Sequence, residues 1–515
     1  MKRYKLGIVL LGAALFSLSS CTKDFEELNK NPNEVTNPNI DYIFTYSIVR
    51  ANGQGFEMHR ANLIYCAAMI QHFASLNGYW TGDKYTYSSE YSSAFFGSMY
   101  PSAVRELTQL VELTSTDPEL VNKKSAARIM RVYTMHRLTD LYGDVPYFEA
   151  GKGYTGGIFK PKYDKQSDIY KDMLKELEES ATAFNASKPT FGNADLLYKG
   201  DVVKWKKFAY SLMLRLGMRL SKVDAGLAQQ WVAKALAGGV FQTLDDQAKL
   251  DHAVGPEGIN RNPTASQLLS EEIKDGGNTS NSKLSRTLID FLRNNADPRL
   301  RVIARKQNSG DNNPANQKGL PNGYDNTTIT SYPGWTQLAD YSDPNTLTFA
   351  RWDAPSILIS TAEVKFLQAE AVIRGWGTGN AQTLYDEGVT LAMQMLNLYI
   401  PAGSSVANIT NAEITAYLVA HPFNVAGTNA QKLEQIHTQL WASLFFNAIE
   451  AFANWRRTGY PVLTPVNYPG NITNGTIPRR LRYPEAEAVN NATNYQAALA
   501  QQGADEFTTK VWWDK

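Results

Sequence analysis

Apolar residues recur every three to four positions over most of the chain after residue 38, and that period is helical. The clearest stripe is Ile436, Leu440, Leu444, Ala448, Ala451 and Trp455, which all fall on one face. Ile357, Val364, Leu367 and Ala371 repeat the pattern, and Met130, Thr134, Leu138 and Leu141 form a weaker version. The periodicity predicts amphipathic helices over 56–76, 93–115, 118–142, 167–184, 201–222, 226–237, 355–374, 380–397 and 430–455. Gly143 follows "RLTDLY" and Gly459 follows "NWRRT", each where a helix needs a left-handed terminator. The stretch "SILISTAEVKFLQAEAVIRGWGTGNAQTLYDEGVTLAMQML" reads as a helical hairpin close to the tetratricopeptide period of about 34 residues. Such pairs cannot bury their apolar faces alone and must stack on neighbours.

Between about 240 and 355 the pattern fails. The segments "KDGGNTSNS", "SGDNNPANQKG" and "LPNGYDNTTITSYPGW" are dense in Gly, Asn, Asp and Pro. A structureless loop of that length is suspect in a compact domain unless functional, so we read an irregular subdomain inserted into a mostly α-helical unit spanning 38–515. The N-terminus differs again. Lys2, Arg3 and Lys5 precede the apolar run "LGIVLLGAALFSL", which has the layout of a secretory signal. It is too short to span a bilayer, which takes roughly 20 apolar residues. Leu18-Ser19-Ser20-Cys21 replaces the usual cleavage site and resembles a lipoprotein lipobox, with Cys21 as the acylated first residue of the mature chain. An ordinary export signal with an incidental cysteine is the competing reading. Residues 1–20 are then signal, and 21–37, polar and rich in Asn and Pro, are a lipidated tether.

Losing Lys2, Arg3 and Lys5 takes the formal net charge from +1 to −2, which gives no reason to expect nucleic acid as a partner. With Cys21 acylated, Cys66 has no disulfide partner and no thiolate metal site is expected. Its place in "ANLIYCAAMIQHF" predicts a buried free thiol. Catalytic motifs are scarce. "GKGYTG" at 151–156 matches G-x-G-x-x-G literally but follows a helix and a Pro turn, whereas a dinucleotide fingerprint follows a strand. The six histidines never fall at i, i+4. Glu363 and Glu370 share a helix face about 10.5 Å apart along the axis, wider than the carboxylate pairs of glycosidases. They are predicted to be inter-helix hydrogen-bond or salt-bridge partners. No catalytic, metal or cofactor site is therefore assigned, with an oxygen-lined calcium site in the Asp/Asn-rich insertion left open.

Several segments together resemble the SusD/RagB family of nutrient-binding outer-membrane lipoproteins, in its SusD-like branch. They are "CTKDFEELNKNPN", "RVYTMHRLTDLYGDVPYFEA", "SDIYKDMLKELEES", "DLLYKGDVVKWKKFAYSLMLRLGMRLSKV", "ILISTAEVKFLQAEA" and "AIEAFANWRRTGYPVL", in that order along nearly the whole mature chain. The resemblance implies tetratricopeptide-like hairpins with an inserted loop-rich face. It also implies a SusC/RagA-like TonB-dependent barrel transporter as partner and a cell-surface position in the outer membrane. Asp24, Glu26 and Glu27 look like the surface-export signal of such lipoproteins, interrupted by Phe25.

Aromatic residues make up 11% of the chain, and many lie in predicted loops. "NGYWTGDKYTYSSEY" carries Tyr79 and Trp80 beside Asn77 and Asp83, and "YDNTTITSYPGWTQLADYSDPN" carries Tyr324, Tyr332, Trp335 and Tyr341 beside Gln337 and Asp340. Rings with interleaved amides and carboxylates suit the apolar face and hydroxyl rim of a sugar, and equally a peptide. The same rings could instead pin loops to helices. The family places its ligand aromatics after an early helix and in the insertion. On that basis Trp80, Tyr79, Asn77, Trp335, Tyr332 and Tyr341 are the expected ligand contacts, with Trp80 and Trp335 foremost. The expected function is capture of an oligosaccharide or other oligomeric nutrient for the transporter, against a glycoside hydrolase or lyase, or a helical scaffold that binds only protein.

Overall fold

The computed structural model describes residues 38–273 and 282–515. The expected signal, Cys21 and the tether to residue 37 lie outside the described residues.

Helix α1 (Ile40–Asn52) opens the body. The hairpins that follow are α2 (Val121–Tyr142) with α3 (Gln166–Ala183), α4 (Val202–Arg219) with α5 (Ala225–Gly238), and α6 (Thr361–Ile373) with α7 (Ala381–Leu396). Helices α8 (Asn429–Ser443) and α9 (Ala448–Thr458) pack against α6 and α2 respectively. Side chains define the starts. Asp201 accepts from the amides of Val203 and Lys204, Asp224 from Leu227, Ser360 from Glu363 and Asn380 from Thr383, which satisfies amides that have no partner within a helix. Gly459 ends α9 in the expected left-handed conformation (φ 81°, ψ 3°), whereas Gly143 ends α2 at φ 85° and ψ −123°, a positive-φ conformation outside the left-handed helical region that glycine adopts without a Cβ penalty.

The hairpins are tied through buried charge as well as apolar packing. Arg215 on α4 donates a bidentate pair to Glu363 on α6 (2.6 and 2.7 Å), and Arg219 donates to Glu450 on α9 (2.6 Å). Glu370 on α6 receives both terminal nitrogens of Arg457 on α9 at 2.7 Å. Glu363 and Glu370 are therefore inter-helix partners, as their spacing predicted. Cys66 is a free, fully buried thiol whose pKa burial pushes up to about 12.

Three predicted helices are corrected. The run 56–76 is helical only in its first part, mainly the wide-turned Met58–Ala67, and then becomes strand β1 (Phe73–Ser75). Gln71 breaks it at φ 59°, held there by distant groups: its amide donates to Thr464 O at 2.6 Å and accepts from Thr287 Oγ1 at 2.5 Å. The run 430–455 is two helices, because Phe446 turns to φ 73° and its carbonyl accepts from Asn62 Nδ2 at 3.0 Å. The start of 355–374 is strand. Of the remaining strands, β2 (Ala248–Leu250), β3 (Ser282–Leu284), β4 (Ala304–Arg305), β5 (Asp343–Pro344) and β6 (Ser356–Ile359), β6 pairs with β2, β4 with β5 and β1 with β3, all antiparallel. The segment 240–355 thus holds short strands, and it also contains the helix Arg286–Asn294.

Candidate functional site

The β1–β3 pair organises the aromatic loops. Its register sets Phe73 opposite Leu284, Ala74 opposite Lys283 and Ser75 opposite Ser282. Successive side chains of a strand point to opposite faces, so the pair separates two environments.

On the Phe73/Ser75 face lies Trp80. Its ring centroid is 6.0 Å from Phe73 and 6.4 Å from His59, and its indole N–H donates to Glu272 Oε1 at 2.9 Å. Tyr79 Oη and Ser282 Oγ also donate to Glu272 at 2.6 Å, and His59 Nε2 is 3.0 Å from it. Burial pushes the Glu272 carboxyl up, but these partners, His59 first, bring it below the ordinary glutamate value. Lys84 and Asp83, both buried, clamp the turn. Asp83 accepts from Ser75 N (3.0 Å) and Lys84 Nζ (2.8 Å), while Lys84 donates to Ser75 O (2.6 Å) and Trp80 O (3.3 Å). Trp80 is 0% exposed, which corrects its expected role as an open stacking face. Tyr79 is 38% exposed, and Asn77 sits beside it with Nδ2 donating to Tyr79 Oη at 3.2 Å.

On the Ala74 face the insertion builds an aromatic platform. Ala74, Leu76, Leu320, Ile329 and Tyr341 form a buried base, against which Tyr324, Tyr332, Trp335 and Leu338 pack while keeping part of their surface open. Trp335 stacks on Tyr341 (centroids 5.4 Å, planes 19° apart), and Tyr324 meets Tyr332 edge-on at 5.5 Å. Short backbone turns hold the rings, with Trp335 N donating to Tyr332 O and Tyr341 N to Leu338 O. Tyr341 is itself 0% exposed, so its expected direct contact is corrected to support of Trp335 from behind. Arg286 Nη1 donates to Tyr332 Oη at 2.6 Å, and Lys318 Nζ lies 4.5 Å over Tyr341 while donating to Gly334 O and Thr336 Oγ1. Tyr468 donates to Asp325 at 2.6 Å, and that bond, with those from Thr327 and Thr328, holds the carboxyl well below the ordinary aspartate range.

Of the six expected contacts, Tyr332, Trp335 and Tyr341 come together, with Leu76 joining them one residue before Asn77. Glu272, Arg286 and Lys318 were not foreseen, because no local pattern ties a lone charged residue to rings tens or hundreds of positions away. A platform of this kind can stack against a flat apolar face while a rim of N–H donors meets hydroxyl or amide oxygens.

Among the described residues, His136, Asp140 and Glu450 are the group close enough to share a metal ion. They lie in the helical core, where Arg219 already donates to Glu450 at 2.6 Å and sits 3.4 Å from Asp140. Trp513 Nε1 adds a donor to Asp140 at 3.0 Å. The arginine supplies the positive charge that a metal would bring, so the set does not fit one. The "GKGYTG" run forms a single surface turn, Gly153–Gly156, with no strand leading into it.

No curated protein matches the chain. Solved structures do. One described as a chitin-binding protein is 35% identical, with TM-score 0.81, covering 93% of this chain and 100% of its own. A SusD-like protein from Bacteroidetes AC2a is 30% identical with the same TM-score and coverage. A chitin-binding SusD homologue from Flavobacterium johnsoniae, 22% identical with TM-score 0.76 over 92% of this chain and 98% of its own, shares the fold. A SusD-like family model described as "Starch-binding associating with outer membrane" matches residues 32–484. The chain belongs to the SusD-like family of outer-membrane-associated binding proteins.

Proposed function

We propose that this chain is a cell-surface lipoprotein that captures an oligosaccharide on the Tyr332–Trp335 platform and hands it to a TonB-dependent barrel transporter. The observation that carries the reading is Trp335, half-buried, backed by Tyr341 and flanked by the Arg286–Tyr332 pair. The 35% identical chitin-binding structure makes a β-linked N-acetylglucosamine oligomer the ligand of choice. Its pyranose rings offer C–H faces to an indole, and its acetamido carbonyls accept from guanidinium and ammonium groups.

Anchorage is assigned to acyl chains on Cys21. Each buried methylene contributes about 0.8 kcal/mol, and stable attachment takes two hydrophobic signals. No helix among the described residues is long and apolar enough to cross a membrane.

Isothermal titration with chitotetraose tests the platform. Trp335→Ala is expected to weaken binding by about 1–3 kcal/mol, with the thermal melt little changed. Unchanged affinity in that variant would reject the platform as the site.

A further inference from the structure

A second concave surface shares no residue with the platform. It runs between Gln54–Glu57 at the head of the Met58 helix, the segment 258–270 and Trp352, and encloses about 420 Å³. That is within the range of small-molecule sites, roughly 300–1,000 Å³. Phe56 stands on its wall 63% exposed, with the Arg60 guanidinium 4.9 Å from its ring. Trp352 contributes an indole on which Arg261 stacks at 3.8 Å. Arg261 is fixed there by donating to Val254 O (3.1 Å) and Gly255 O (3.3 Å).

The polar groups of the wall have a distinct chemistry. Gln54 Nε2, Ser266 Oγ and Gln267 Oε1 are shielded from solvent yet have no hydrogen-bond partner. Unmade bonds of this kind carry a free-energy cost. The Glu57 carboxylate is buried and already accepts from Gln54 N at 2.7 Å. What remains to meet a ligand is an open ring, a guanidinium-backed indole and the exposed Ser270 hydroxyl, with two amides and the Ser266 hydroxyl behind them, which suits a neutral polyhydroxylated chain.

We propose that this groove is a second glycan subsite, taking a short stretch of neutral pyranose units. The proposal rests on the glycan-binding reading above and extends it to a different surface. It places the head of the Met58 helix and Trp352 in ligand capture.

Titration of the full-length chain with chitotetraose is expected to show two binding events. Phe56→Ala removes the open ring. Ile259→Arg, at a lining position that is 40% exposed, fills the groove without disturbing the core. Each is expected to weaken one event about tenfold and to leave the event that depends on Trp335 in place, while Trp335→Ala does the reverse. A single event, lost in Trp335→Ala and untouched by both groove variants, overturns the groove and leaves the platform standing. No binding by the unsubstituted chain overturns the glycan reading, and the groove with it.

Discussion

Glu370→Ala lowers the unfolding free energy by about 3–5 kcal/mol, the cost of leaving a buried charge without its partner. Glu370 is 0% exposed and accepts both terminal nitrogens of Arg457 and Nε of Arg374, all at 2.7 Å, while His437 Nε2 is 3.0 Å away. Without the carboxylate, Arg457 keeps a single side-chain acceptor, Asn454 Oδ1 at 2.8 Å, between α6, α8 and α9. Urea unfolding midpoints measure the loss. The double variant Glu370→Leu/Arg457→Met removes both charges and is expected to recover much of the loss, since an apolar pair of similar volume can replace a buried ion pair.

The same residue gives the chain an acid limit. Burial alone would raise the Glu370 carboxyl, but Arg457 and His437 hold it well below the ordinary glutamate value. A folded-state pKa below the unfolded one stabilises fully above the unfolded value, about 4.3. That stabilisation is lost as pH falls from there through the depressed folded pKa. The urea midpoint of the unsubstituted chain is expected to fall over that window, and that of Glu370→Ala to fall less.

Trp80→Ala is the other large effect, and it falls on stability: about 3–5 kcal/mol for a large ring removed from a packed interior. The substitution opens a cavity beside Phe73 and His59 and takes one of the donors from Glu272. Trp80→Phe keeps most of the ring and loses the indole N–H, so its cost is about 1–3 kcal/mol, that of weakening a buried hydrogen-bond set. Trp335→Ala, in a residue that is only half-buried, should change the melt far less and ligand affinity far more. Unchanged urea midpoints in Trp80→Ala, with binding abolished, would reverse the roles assigned to the two indoles.

Those two tryptophans show where the sequence was legible. Most helical runs and the positive-φ glycine terminators depend on near neighbours along the chain, and the pattern carried them. The spacing of Glu363 and Glu370 pointed to a partner role, but the partners, Arg215 and Arg457, lie 148 and 87 positions away. The convergence of Tyr332, Trp335 and Tyr341 is local too, since they share one loop. The fate of Trp80 is not local. Its ring is enclosed because Glu272, 192 positions away, accepts its N–H, and because β3 pairs with β1 and closes that face. The break at Phe446 likewise depends on Asn62, 384 positions away. Periodicity reports which residues seek burial, but it does not report which distant element will cover them.

The most direct test is a crystal structure of the chain with chitotetraose bound. A pyranose ring is expected to stack on Trp335, with a hydroxyl or acetamido oxygen accepting from Arg286. Sugar bound without contact to Trp335 or Tyr332 would contradict it.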